Sequence, residues 1–110
     1  MPKDTVITLH RPTRAKNSIG EWISTIQLVD VFARVQEVSS FEFFSASQIG
    51  LNPEKRFLVF AGDYQNETVI THEGVNYSVY RTYKSSLDTV EIYCQREAGT
   101  ASVQSNENQS

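Results

Sequence analysis

Cysteine is almost missing from this chain: Cys94 stands alone among 110 residues. No internal disulfide can staple the fold, and a lone thiol fits a reducing compartment. Histidine is equally scarce, and neither His10 nor His72 lies at metal-ligand spacing to Cys94 or to the other. His72-Glu73-Gly74 begins like a zinc-protease signature, but Asn76 stands where the second histidine is required. There is no glycine-rich phosphate loop and no serine in a nucleophile elbow. The 13 acidic residues are scattered singly, the pattern of a solvated surface. These absences exclude the familiar catalytic constellations, so the chain reads as no enzyme, with no catalytic, metal or cofactor-binding residues. Positive charge is also in short supply: 10 Lys and Arg leave a net charge of −3. That argues against a nucleic-acid coat, whose affinity comes from dense cations neutralising phosphates. No apolar run approaches the roughly 20 residues that cross a bilayer. MPKDTVITLH lacks the apolar core of a signal peptide. The expectation is a protein made and used inside a cell, without a membrane partner. In that setting the glycosylation sequon Asn66-Glu67-Thr68 is a chance match.

What remains is β-forming sequence. Hydrophobic residues make up 39% of the chain, enough for one small core that gains from association. Period-2 alternation of β-branched and aromatic residues predicts strands at Thr5–His10, Trp22–Val29, Val31–Val38, Arg56–Ala61, Glu67–His72, Val75–Tyr83 and Thr89–Arg96. The second and third are alternatively one long strand bent at Asp30. Arg11–Gly20 (RPTRAKNSIG) reads as an exposed arm or hairpin loop, and its cations Arg11, Arg14 and Lys16 make it a candidate docking arm. Cys94 follows Val90 and Ile92 at period two and is expected to face the core. Tyr77, Tyr80, Tyr83 and Tyr93 cluster on the last two strands. Stacking platforms for single-stranded nucleic acid use strand aromatics too, but with basic grooves. Only Arg81, Lys84 and Arg96 are near, so packing and subunit contact is the preferred reading. From Glu97 the polar EAGTASVQSNENQS cannot bury enough surface to order itself. The domain plan is therefore 1–96 as a β-barrel domain and 97–110 as a flexible polar tail. The fold class is mainly β: a small barrel of six to seven short strands with one short inserted helix.

That helix is the most distinctive element. Ser39 and Glu42 form an S-x-x-E capping box, Gly50 sits where a left-handed C-terminal cap is wanted, and Asn52-Pro53 forbids continuation. A helix over about Ser39–Ile49 follows. Phe41, Phe43 and Phe44 crowd into four of its positions. They cannot all face one small core, so at least one is expected to serve a partner.

From Asp30 to Phe60 the run DVFARVQEVSSFEFFSASQIGLNPEKRFLVF resembles the head-closure proteins of long-tailed bacteriophages, also called stoppers or head–tail joining proteins. The family pattern is an initial strand, a tryptophan-containing strand leading to [DE]-x-F/W-A-x-V, and a V-x-x-[VI]-S element opening a short helix. Thr5–Leu9, Trp22, Asp30–Val35 and Val35–Ser39 match these, with Gln48–Asn52 as the polar, Gly-containing exit. An I-x-x-x-G-x-x-Y-x-V element follows, matched by Ile70, Gly74, Tyr77 and Val79. The resemblance spans about residues 4–96; each motif alone is weak, and their order and spacing carry it.

The resemblance implies a structural virion protein at the head–tail interface, made in the host cytoplasm. It would form a homo-oligomeric ring, dodecameric in this family, beneath the portal and adaptor, with a tail-completion or tail protein below. The ring closes the channel after packaging, retains the genome in transient contact with double-stranded DNA, and presents the tail attachment surface. The segment of about 39–53 is the implied channel element. Within it we expect Phe43, Phe44, Gln48, Ile49, Gly50, Leu51 and Asn52 to lie toward the channel axis, with Phe41 anchoring the helix to the barrel and Phe43 or Phe44 meeting a neighbouring subunit. The alternatives are a tail-completion or other connector protein of the same virion, or a cellular β-barrel module binding a peptide or nucleic acid.

Overall fold

A computed structural model describes residues 3–97 of the chain. Of the tail expected from residue 97 onward, all but Glu97 lies outside the described residues. Six strands, β1 (Lys3–Lys16), β2 (Trp22–Gln36), β3 (Pro53–Phe60), β4 (Val69–His72), β5 (Val75–Lys84) and β6 (Thr89–Arg96), carry one α-helix, α1 (Ser40–Ser47), between β2 and β3, and a single 3₁₀ turn (Ala61–Asp63) follows β3. All neighbours pair antiparallel, and the strands close in the order β1-β2-β3-β6-β5-β4. The mainly β barrel with a single inserted helix is as the alternation implied, with six strands.

The core follows from strand period. Ile7 and Leu9 of β1, Phe57 and Val59 of β3, and Ile92 and Cys94 of β6 point inward two residues apart, joined by Ala33, Ile70 and Tyr77. Phe57 is fully buried, with His72 edge-on to its ring at 5.1 Å and Tyr77 at 6.4 Å. Cys94 is buried as expected, and burial pushes its thiol up to about 12. The β4–β5 hairpin is a two-residue turn: His72 pairs with Val75, while Glu73 and Gly74 take φ of 52° and 80°. Two successive positive φ values give the twist that antiparallel strands need.

Residues 11–20 differ from the loop that their composition suggests. β1 continues to Lys16, and only Asn17–Glu21 turn, held by Asn17 Oδ1 accepting from Ile19 N at 3.0 Å and Glu21 N at 2.9 Å. Pairing explains the extension, because Pro12 lies opposite Ile26 and Thr13 opposite Thr25, whose hydroxyls are 2.6 Å apart. Pro12 is tolerated because β1 touches β4 only at Thr8 and Leu9, so one edge is open here. β2 is one strand, and Asp30 does not break it: its carboxylate accepts from Thr8 Oγ1 across the pair at 2.7 Å. β3 begins earlier than expected, at Pro53. β4 begins later, at Val69, because Glu67 turns into the interior.

β2 pairs with β3 only over Ala33–Gln36. From about His10 to Leu28, therefore, β1 and β2 form a two-stranded arm that leaves the barrel.

Candidate functional site

Helix α1 starts as the sequence requires and then departs from it. Ser39 is the N-cap, its hydroxyl accepting from Glu42 N at 3.1 Å. At the other end Gly50 takes φ +88°, Leu51 N donates to Ala46 O at 3.0 Å and Gly50 N to Ser47 O at 3.1 Å. This paired bonding closes a helix through a left-handed residue. Only Ala46 of the helix is buried; Phe41 is 82% exposed, Phe44 70% and Phe43 46%. Phe41 therefore does not anchor the helix to the barrel. The reason is length: eight residues put one narrow stripe against the barrel, and the small Ala46 occupies it. The remaining gating candidates, Gln48, Ile49, Gly50, Leu51 and Asn52, follow directly in the exit turn. Ile49 is exposed, Leu51 half-buried, and Asn52 N donates to Gln95 Oε1 at 2.9 Å.

The helix is fastened instead by Glu42. The capping-box reading points its carboxylate back at the N-cap, whereas in the structure it crosses to β5. Oε2 accepts from Tyr80 Oη at 2.9 Å, and Oε1 accepts from Arg81 Nη2 at 2.6 Å. Neighbouring strand residues ordinarily point to opposite faces, so two cannot reach one carboxylate. A bulge resolves this. Val79 pairs with Cys94 and Arg81 with Tyr93, leaving Tyr80 as an extra residue. Arg81 then lies 4.1 Å over the Tyr93 ring, covering that aromatic on the barrel exterior. Burial raises the Glu42 pKa, but the Arg81 and Tyr80 hydrogen bonds outweigh it and hold the carboxyl below its ordinary value. Tyr80, desolvated and bonded to that anion, stays protonated far above its usual range.

The three cations of the candidate docking arm separate by role. Arg11 is structural: its Nε donates to the buried Glu67 carboxylate and its Nη2 to Asp63 O at 2.9 Å. Arg14 and Lys16 flank Trp22 at 5.2 Å and 5.4 Å on the arm's outer face. That face also carries Ile26 and Leu28, and the same side of β2 continues onto the barrel at Phe32, all three well exposed. These three were not among the sequence candidates. Their signal was present in TIQLVDVF, where apolar residues occupy both phases of the alternation, so one set has to face outward. No hydrogen bond or ion pair among the described residues joins the arm to the helix segment.

Of the tyrosines, Tyr77 is core, Tyr93 is covered by Arg81, and only Tyr83 is widely exposed. They form no continuous stacking face. His72 is buried at the end of β4, its Nε2 3.2 Å from Thr5 Oγ1, and burial lowers its pKa. Among the described residues, no group of three His, Cys, Asp or Glu side chains is placed to hold a metal ion. Among the described residues two uncovered surfaces stand out: an aromatic helix on one insertion and a cationic, apolar arm on another.

No family model and no curated protein matches this sequence. The fold is similar to the solution structure of protein SF1141 from Shigella flexneri 2a, with a TM-score of 0.58 and 21% identity, covering 84% of this chain and 91% of that one. A likeness at that identity concerns the fold.

Proposed function

We propose that this chain is a head-closure subunit of the neck of a long-tailed bacteriophage. It acts as one copy in a ring beneath the portal and adaptor that closes the channel over packaged DNA and receives the tail. The observation that carries the reading is the helix between β2 and β3, which gives Ala46 to the barrel and leaves Phe41, Phe43 and Phe44 uncovered. Exposed aromatics at this density are contact surface for a neighbour, and they sit in the segment where the resemblance puts the gate. The rest of the chain is consistent with the role. The barrel buries its own core, and repetition around a ring would bring Gln48, Ile49 and Leu51 toward one axis. A net charge of −3 disfavours tight binding to DNA that must later leave. Gly50, at φ +88° with open space around it, is a backbone point able to absorb movement of the exit turn.

The test replaces Gln48–Asn52 with a Gly-Ser linker in the phage. β3 begins at Pro53 and is untouched, so the barrel should fold. Capsids are expected to package DNA and then lose it before tails join. Particles that hold their DNA as well as wild type would remove this segment as the gate.

A further inference from the structure

An open groove of about 620 Å³ lies on the outside of the barrel where β1, β2 and β3 meet the β5–β6 turn. Its walls are Phe32, Leu58 and Phe60. Phe60 is held over Gly62, where an added Cβ would come within 2.5 Å of the ring. Its rim is acidic. Asp4 is paired with Arg34 at 3.2 Å, which cancels those two charges and leaves Asp63 and Asp88 as the net charge of the rim. Neither of those carboxylates has an ion-pair partner among the described residues.

The arm is the opposite in kind. Its outer face presents Trp22 and Ile26, 59% and 57% exposed, with the cations Arg14 and Lys16 against the Trp22 ring and Ile26 opposite Pro12. One surface is apolar with an acidic rim and the other apolar with a basic rim. They cannot meet within one chain: Trp22 and Phe32 stand ten residues apart on the same strand, and at about 3.3 Å per residue that is roughly 33 Å of extended backbone.

We propose that the arm of one copy docks in the groove of the next copy of this chain. Trp22 and Ile26 lie against Phe32 and Phe60, and Arg14 and Lys16 face Asp63 and Asp88. The contact is heterologous, since each copy offers an arm and receives one. Such contacts propagate head to tail and close into a ring when the rotation permits. This deepens the ring reading above and rests on it only for closure; the pairwise contact is a property of the purified protein.

The experiment mixes equal amounts of ¹⁴N- and ¹⁵N-labelled full-length protein at high concentration and applies a carbodiimide, which joins an amine to a carboxylate only in direct contact. The expected product is a Lys16–Asp88 or Lys16–Asp63 peptide pair with mixed isotopes. R14E, which keeps the Lys16 amine and both carboxylates, should lower its yield about tenfold or more, the scale of 1.4 kcal/mol of lost contact, whereas R14E/K16E and D63K/D88K, each checked for fold by far-UV circular dichroism, remove a reacting group and abolish it. Combining these last two variants should restore cross-linking, now between position 16 of one and position 63 or 88 of the other. Lys16–Asp peptide pairs found exclusively as single-isotope species, arm-to-arm products, an undiminished yield in R14E, or no restoration on mixing would overturn the contact. Failure is separable from that of the head-closure reading. If necks carry a ring and both variants still assemble into it, the contact falls and the ring stands. If cross-links form as expected but gate-replaced capsids keep their DNA, the gate falls and the contact stands.

Discussion

Glu67 is the residue whose replacement tests the fold most directly. It is 1% exposed, and its two oxygens serve different elements: Oε2 accepts from Arg11 Nε, and Oε1 accepts from Gln65 N at 2.8 Å. Its own carbonyl accepts from Tyr64 Oη at 2.6 Å. This carboxylate thus ties β1, at the root of the arm, to the loop before β4. Glu67→Ala strands a guanidinium and a backbone N–H, and breaking a buried pair from one side costs about 3–5 kcal/mol. Arg11 keeps 21% of its side chain in water, so the low end applies, about 3 kcal/mol. For a domain of this size that is about 15 °C in Tm, at roughly 4–8 °C per kcal/mol. Glu67→Gln retains one acceptor and should cost about half as much. Arg11→Met with Glu67→Leu removes both charges and should recover to within about 1 kcal/mol of wild type. Urea unfolding followed by far-UV circular dichroism is the assay, because Trp22 is 59% exposed on the arm and reports poorly on the core. The m-value should not change. A Glu67→Ala loss below about 1 kcal/mol, or a double variant no better than the singles, would refute the buried-pair reasoning.

Three further outcomes are expected. Glu42→Gln should cost about 1–2 kcal/mol by weakening the charge-assisted bond to Arg81. Because the folded Glu42 pKa lies below the ordinary 4.5, wild type holds this contribution above pH 4.5 and loses it as pH falls through the folded value. The acid limb of the stability curve should therefore flatten in the variant, read by chemical denaturation from pH 3 to 6. Phe41→Ser and Phe44→Ser should leave stability within about 0.5 kcal/mol, since both rings are mostly in water; a larger loss by calorimetry would mean that they pack on the barrel. Cys94 should resist thiol reagents at pH 8 until unfolding, being buried with its thiol pushed up to about 12.

Much of this molecule was legible in the order of its residues. Alternation placed the strands because side-chain period and backbone pleat are the same geometric fact, and it identified Cys94 as core. Ser39, Gly50 and Asn52-Pro53 placed the helix because capping is local chemistry. Three features were decided only by tertiary contact. Arg11 reads as a free cation in a polar loop, but Glu67, 56 residues away, takes it out of solvent. Glu42 completes a capping box by spacing, yet a bulge at Tyr80 aims two donors at it, and a bulge depends on register with β6 rather than on the sequence of β5 alone. Phe41 satisfies the spacing of an anchor, but which stripe of a helix meets the barrel depends on where β2 releases the chain and β3 takes it back. The sequence by itself determined periods, caps and turns, which are set within a few residues. The structure decided which charges are buried and which aromatics remain uncovered, because those depend on distances between strands that the chain brings together only by closing the barrel.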